Sequence, residues 1–388
     1  MAARTEKPCL SGSDMAEHDV EFMKECLRLA ARARGKTSPN PMVGAVLVKD
    51  GAKTASGYHV RAGEPHAEVV AIRKAGSQAS GSTMFVNLEP CSHFGRTPPC
   101  AALIVKTGIT RVVVGAVDPN PLVAGRGIAI LRRAGIELEV GVLEDRCRLL
   151  NEVYFKFITT GLPFVTLKVA QTLDGKIATK SGDSRWITGL KARRFAHRLR
   201  AESDVVLVGR GTLEKDDPEL TVRHVSPARP DRPIRVVLDS MLKTPPAAKA
   251  LTTGQCETII ATTNEASVQR EDALRRAGAS FIRTRAQDGR VDIEAVLRAL
   301  AERWLTSVLV EGGAEVAWEF VSRGLVDKTV FMIAPKVLGG QESISSVLGV
   351  GFASVSEAMQ LDVHKVMRLG NDIGLIAYPR PGPGVERG

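Results

Sequence analysis

Pro65-His66-Ala67-Glu68, followed by Glu89-Pro90-Cys91-Ser92-His93-Phe94-Gly95-Arg96-Thr97-Pro98-Pro99-Cys100, is the stretch on which the reading of this chain turns. One imidazole (His66) and two thiols (Cys91 and Cys100) make a three-ligand set for zinc, with Glu68 two residues after the histidine. Three protein ligands leave the fourth tetrahedral position to water, as in catalytic rather than structural zinc sites. Zinc lowers the pKa of such a water from about 15.7 towards ~7. A neighbouring carboxylate can then carry protons between it and a leaving group. His93 is the alternative fourth ligand, which would close the site and make it structural.

Working outward, the local pattern puts these residues on the ends of regular elements. Phe22, Met23, Cys26, Leu27 and Ala30 recur at helical spacing, and Gly35 follows as a stop. Pro39 and Pro41 make a loop, and Asp50-Gly51 between two apolar runs is a hairpin turn. Helix over 66–74, strand over 83–88, helix over 100–106 and strand over 111–116 then alternate, with a further helix and strand over 128–140. That alternation predicts an α/β layer architecture. His66 and Glu68 fall in the first turn of one helix, Cys91 follows a strand, and Cys100 opens another helix. Partial positive charge at a helix N-terminus favours thiolate, as zinc binding requires.

At 388 residues the chain predicts two domains. The segment 143–158 reads as one helix, and Thr159-Thr160-Gly161-Leu162-Pro163 punctuates the boundary. The expected organisation is a flexible tail over 1–18, domains over 19–160 and 161–378, and a Pro/Gly-rich tail over 379–388. No apolar run reaches the ~18 residues of a membrane span, and the N-terminus lacks a secretory apolar region, so a cytoplasmic location is expected. Cys9, Cys26, Cys147 and Cys256 are scattered and read as structural or incidental thiols. A net charge of +10 suits either nucleic acid or a phosphorylated small molecule, but no Lys/Arg block or basic–aromatic interleaving accompanies it.

The second half shows strands over 164–169, 204–208, 234–238, 258–262 and 307–310, with helices over 190–201 and 292–303. Arg193, His197 and Arg200 share one side of the first of these helices; Arg193 and His197 read as a solvated basic face. Glu311-Gly312-Gly313 between strand and helix leaves room for backbone to approach a phosphate. It is not G-x-G-x-x-G, so no Rossmann dinucleotide site is indicated. Residue pattern alone stops at an α/β domain with a phosphate cradle.

His-x-Glu with a later Pro-Cys matches zinc-dependent nucleobase deaminases. Their usual C-x-x-C spacing is replaced here by eight residues between Cys91 and Cys100. With that spacing the chain resembles the deaminase half of the bifunctional riboflavin-biosynthesis deaminase–reductases. Ser38-Pro39-Asn40-Pro41, Gly57-Tyr58-His59 and Asp118-Pro119-Asn120-Pro121 with Gly125-Arg126-Gly127 carry the likeness further. Thr166-Leu167-Lys168, Ser184 with Trp186-Ile187-Thr188, Asp216-Asp217-Pro218 with Leu220-Thr221 and Arg223, and Val310-Glu311-Gly312-Gly313 resemble the reductase half. Asn87 stands where the family more usually has Thr.

The resemblance implies a cytidine-deaminase-like three-layer α/β/α domain followed by a dihydrofolate-reductase-like α/β domain. It implies one zinc ion on His66, Cys91 and Cys100, with Glu68 catalytic. In the second domain it implies NADPH held by Ala170, Trp186, Thr212, Asp216, Ser240 and Gly313, and substrate held by Ser184, Arg200, Leu220, Arg223 and Glu311. Arg200 and Arg223 are expected on the phosphate, which guanidinium binds in bidentate fashion. The implied reactions are hydrolytic deamination of a diaminopyrimidinone ribosyl phosphate, then NADPH-dependent reduction of the ribosyl group. The donor of the proton to the sugar oxygen is open, with Lys168 and Asp216 as candidates. The implied partners are a phosphorylated pyrimidine and further copies of the chain, as a dimer or tetramer, with neither nucleic acid nor membrane. Two other readings are a nucleic-acid-editing zinc deaminase with an accessory domain, and a non-catalytic zinc-binding module. The Cys spacing and the second domain argue against the first, and Glu68 argues against the second.

Overall fold

The computed structural model describes residues 12–92, 99–121, 123–254 and 256–380. The chain divides into two compact units, the first ending at Thr160 and the second beginning at Gly161. His93, the alternative zinc ligand, lies outside the described residues, as do positions 1–11 and 381–388 of the two expected tails.

The first unit runs α1 (Gly12–Ala30), β1 (Gly44–Lys49), β2 (Ala52–Tyr58), α2 (Ala67–Ala75), β3 (Thr83–Leu88), α3 (Cys100–Thr107), β4 (Arg111–Ala116), α4 (Arg126–Arg133), β5 (Glu137–Val140), α5 (Glu144–Leu150) and α6 (Glu152–Thr160). Its sheet has the order β2-β1-β3-β4-β5. β1 is antiparallel to β2 and β3, whereas β3, β4 and β5 are parallel. Side chains alternate across the pleat. Ala45, Leu47, Met84, Val86, Val112 and Val114 meet Ala67, Ala71, Ala101, Ile104 and Leu131 of α2–α4 on one face. Val46, Val48, Phe85 and Val113 meet Met23, Cys26, Cys147 and Phe155 on the other. This is the expected three-layer arrangement, with two of the scattered thiols serving as core apolar groups.

Two boundaries differ from the sequence reading. α1 begins at Gly12, so 12–18 are helical rather than tail. Ala16 and Glu17 are good helix formers, and Asp19 anchors the helix by accepting from Arg111 at 2.9 and 2.7 Å. The single helix expected over 143–158 is broken at Asn151. There the side chain leaves the helical pattern to accept from the Met42 amide at 2.7 Å and donate to its carbonyl at 3.0 Å.

The second unit runs β6 (Phe164–Thr172), β7 (Lys176–Ala178), α7 (Leu190–Glu202), β8 (Val205–Gly209), α8 (Arg210–Asp216), β9 (Ile234–Leu238), α9 (Lys249–Thr252), β10 (Thr258–Thr263), α10 (Val268–Arg276), β11 (Ala279–Thr284), β12 (Ala286–Gln287), β13 (Arg290–Val291), α11 (Ile293–Glu302), β14 (Ser307–Gly312), α12 (Ala314–Ser322), β15 (Lys328–Ala334), β16 (Ile344–Ser345), β17 (Leu361–Leu369) and β18 (Asp372–Pro379). Nine strands form one sheet in the order β11-β10-β9-β8-β14-β6-β15-β18-β17. The strands from β11 to β15 are parallel, and β18 and β17 add antiparallel at one edge. β8 and β10 are buried along their whole length, as strands covered on both faces must be. β18 reaches Pro379, the first residue of the expected C-terminal tail. β17 eluded the sequence reading because it lies at a mostly exposed edge, where no burial enforces an apolar alternation.

Candidate active sites

In the first unit, three element ends converge. His66 is the residue before α2, extended at φ −66° and ψ 160°, rather than part of its first turn. Glu68 lies in that first turn and is 3% exposed. Cys91 follows β3, and Cys100 is the first residue of α3. His66 Nδ1 is 3.6 Å from Cys91 Sγ and 3.3 Å from Cys100 Sγ. All three ligand atoms lie within 4.8 Å of one another. Bonds of about 2.3 Å to sulfur and about 2.0 Å to nitrogen at tetrahedral angles separate S from N by about 3.6 Å. The cluster therefore has the dimensions and the donor set of a zinc site.

The electrostatics agree. The Cys100 thiol hydrogen-bonds Cys91 and, with help from His66, pulls Cys91 well down. The same pairing and burial push Cys100 up. Without a cation one sulfur takes the charge and the other keeps the proton, whereas a divalent ion favours the deprotonated form of both. Burial raises the Glu68 carboxyl against the pull of His66, which suits a group that must hold and release a proton.

Surrounding residues hold this arrangement, and sequence reading assigned most of them no role. Asn40 Nδ2 donates to His59 Nε2 at 3.2 Å, so His59 Nδ1–H donates to the Pro65 carbonyl at 3.2 Å. The imidazole thereby ties the Asn40 loop to the residue preceding His66, and it packs edge-on to His66 at 5.5 Å. The Glu89 carboxylate accepts from the amides of Asp118, Gly125, Gly127 and Ile128 at 2.9–3.2 Å, pinning the loop that leads into α4. Its place beside Pro90-Cys91 was the only sequence signal for this. Asn87 accepts from the Gly44 amide at 2.7 Å and donates to the Met42 carbonyl at 3.1 Å. The unusual Asn is thus committed to main chain.

In the second unit, a cleft of about 1220 Å³ opens at the C-terminal ends of β6, β8, β9 and β14. This is where open parallel sheets bind ligands. All eleven residues carried over by resemblance line it: Ala170, Trp186, Thr212, Asp216, Ser240 and Gly313 of the cofactor set, and Ser184, Arg200, Leu220, Arg223 and Glu311 of the substrate set. Arg193 and His197 line it as well, so that face of α7 is not the solvated one expected. The Arg193 guanidinium stacks 4.1 Å from the Trp186 ring centroid, and this indole is 63% exposed, as an aromatic awaiting a ligand would be.

Three features bear on these expectations. Arg200 is already engaged in bidentate fashion by Glu311, at 2.7 and 2.8 Å, and donates to the Thr221 carbonyl at 3.0 Å. Of its five N–H groups, one on each Nη remains for a phosphate, so it cannot offer the side-on fork. Gly312 is not open space: a Cβ there would lie 2.8 Å from Thr212 Oγ1 and 3.1 Å from Val208 Cγ1. That glycine lets β14 approach α8, and Gly312 and Gly313, the latter at φ +83°, both border the cleft before α12. The Leu220 side chain is buried among Val206, Val208, Leu213 and Val237. A charged cluster floors the cleft. Burial would raise Glu311, but Arg200 and then Lys168, 3.8 Å away, hold it down to about 2. Burial lowers the Lys168 ammonium.

Fold and sites define the class: an α/β enzyme with a zinc hydrolase unit of the cytidine-deaminase type and a second α/β unit carrying a large ligand cleft. Residues 16–116 match the cytidine and deoxycytidylate deaminase zinc-binding region, and residues 163–375 match the RibD C-terminal domain. The riboflavin biosynthesis protein RibD of Aquifex aeolicus is 44% identical over 357 residues, covering 92% of this chain and 97% of that protein. Its counterpart in Bacillus amyloliquefaciens is 45% identical over 361 residues, covering 93% and 96%. The solved structure of Acinetobacter baumannii RibD superposes with a TM-score of 0.83 at 38% identity, covering 94% of this chain and all of that one. The Thermotoga maritima diaminohydroxyphosphoribosylaminopyrimidine deaminase/5-amino-6-(5-phosphoribosylamino)uracil reductase gives 0.81 at 36% identity, with 94% and 100% coverage. This chain belongs to the RibD family of riboflavin-biosynthesis proteins, which join a deaminase to a reductase. Neither nucleic-acid editing nor a non-catalytic zinc module is favoured. Among the described residues no helix is long and apolar enough to cross a membrane.

Proposed function

We propose that the first unit deaminates 2,5-diamino-6-ribosylamino-4(3H)-pyrimidinone 5′-phosphate, and that the second reduces the ribosyl group of the product to ribityl with NADPH. The observation that carries this reading is the two-thiol, one-imidazole cluster beside buried Glu68, in one chain with a cleft lined by all eleven site residues carried over from the reductase half. His66, Cys91 and Cys100 would hold zinc, which when bound supplies a Lewis acid that makes water acidic enough to ionise near neutral pH. Glu68 accepts the proton released as water adds to the amino-bearing carbon, then delivers it to the departing amine, so that ammonia leaves. His59 and the Glu89 clamp keep His66 and the Pro90-Cys91 turn in register for this transfer.

In the second unit, NADPH would lie along Trp186, Thr212, Asp216, Ser240 and the α12 N-terminus, supplying hydride to C1′ of the sugar. Ser184, Arg223 and the two free N–H groups of Arg200 suit the substrate phosphate, and Glu311 keeps Arg200 in place. Hydride transfer between carbons depends chiefly on proximity and orientation, and the Lys168–Glu311–Arg200 contacts would fix the substrate side of the cleft. The reading extends to a cytoplasmic homo-oligomer. Exposed Val363 and Val366 on edge strand β17 support self-association, and a monomeric sedimentation coefficient would contradict it.

The test is Glu68→Ala in the full chain. Ammonia release should fall by about 10²–10⁴-fold, the range for a positioned acid–base group. Zinc content and NADPH oxidation with 5-amino-6-(5-phosphoribosylamino)uracil should be retained. Deamination surviving the change would refute the role of Glu68, and no NADPH oxidation by the folded wild type would refute the reductase reading.

A further inference from the structure

His197 belongs to neither residue set carried over by resemblance, yet its position is specific. It sits on α7 one turn before Arg200, is 7% exposed, and lines the cleft. Its Nδ1 accepts the main-chain N–H of Arg223 at 3.0 Å. An imidazole nitrogen that accepts carries no proton, so the ring hydrogen is on Nε2. The other face of the contact is His224, edge-on at 5.1 Å. No other hydrogen bond reaches the ring among the described residues. Buried donors almost always have a partner, and His197 is among the residues that line the cleft.

We propose that His197 is a further substrate-contacting residue of the reductase cleft, its Nε2–H donating to a phosphate or sugar oxygen of the pyrimidine ribosyl phosphate. This rests on the reading of the cleft given above. The substrate is favoured over NADPH because the residues around the ring, Arg200, Arg223 and Glu311, are those of the substrate set. Burial and then Arg200 bring the imidazole down to about 4, so it works as a neutral donor at physiological pH. A cationic ring would lose the bond from Arg223 and add a third positive charge beside two guanidinium groups. His197 thus does two things at once, holding the Arg223 segment through Nδ1 and meeting the ligand through Nε2.

Two near-isosteric substitutions separate these roles. In His197→Asn the amide oxygen can take the place of Nδ1, keeping the Arg223 bond and losing the distal donor. In His197→Gln the amide nitrogen reaches the Nε2 position, keeping the donor and losing the proximal acceptor. His197→Asn should raise KM for 5-amino-6-(5-phosphoribosylamino)uracil about tenfold, as loss of one hydrogen bond to an anionic ligand implies, with KM for NADPH unchanged. His197→Gln should raise that KM less than His197→Asn does. Ammonia release from the first unit and tryptophan emission from the second check folding. Wild-type KM in the Asn variant, a Gln variant worse than Asn, or an equal rise in KM for NADPH would each overturn the proposal. Should either variant misfold, the wild type decides: with ¹⁵N-histidine labelling, the Nε2–H resonance of His197 should shift when the pyrimidine phosphate is added without NADPH, and an unmoved resonance overturns it. If wild-type protein does not turn over this substrate, the functional reading fails instead, and the two failures are told apart.

Discussion

Replacing Glu311 by Gln tests whether a buried ion cluster organises the reductase cleft. The Glu311 side chain is 4% exposed, accepts twice from Arg200 and faces Lys168 at 3.8 Å. Its carboxyl is held at about 2 against an ordinary value of 4.5. Each pKa unit corresponds to about 1.36 kcal/mol, so the folded state favours the ionised form by about 3 kcal/mol. Removing one member of a buried pair while leaving the other charged costs about 3–5 kcal/mol in general, and the two routes agree. All three tryptophans, Trp186, Trp304 and Trp318, lie beyond Gly161, so their emission during urea unfolding reports on the second unit alone. Glu311→Gln should lower the unfolding free energy by about 3 kcal/mol at neutral pH, read as a lower urea midpoint at unchanged m. Because the folded pKa is depressed, this contribution is complete above about pH 4.5 and is lost as pH falls towards 2. The gap between wild type and variant should therefore narrow on acidification. A neutral-pH gap below about 0.5 kcal/mol, or one that widens in acid, would refute the claim that this cluster stabilises the cleft.

Two further outcomes concern the first unit. A Cβ at position 127 would lie 2.0 Å from the Pro90 carbonyl oxygen and 3.1 Å from Glu89 Oε1. Gly127→Ala should force the Pro90-Cys91 turn aside at a cost of about 1–3 kcal/mol, lowering bound zinc and ammonia release while NADPH oxidation stays at wild-type level. Metal assay with both half-reactions checks this, and unchanged zinc content and ammonia release would count against the clamp. Chelation of the wild type should abolish ammonia release and spare NADPH oxidation, with activity returning on added zinc. Loss of both activities together would mean that the metal serves more than the first unit.

Much of the deaminase site was legible before folding because its ligands are close in sequence and their chemistry is unusual. His66, Cys91 and Cys100 with Glu68 beside them form a combination with few other uses, and the alternation of strands and helices around them specified an α/β layer. The reductase cleft was legible only by resemblance. Its residues are common types drawn from 167–348, and nothing in their spacing shows that Arg200 faces Glu311 or that His197 meets the Arg223 amide.

The amino-acid order alone brought out a cluster of one imidazole, two thiols and a carboxylate, the two-unit organisation and most central strands of both sheets, because these depend on side-chain chemistry and short-range periodicity. Tertiary structure decided how those groups are committed. It spent the Arg200 fork on Glu311, filled the space beside Gly312 with Thr212 and Val208, and gave Glu89 four backbone amides to hold. It also turned the basic face of α7 towards a ligand cleft. Each of these is a contact between residues distant in the chain, and the geometry of such contacts exists only once the sheets have closed.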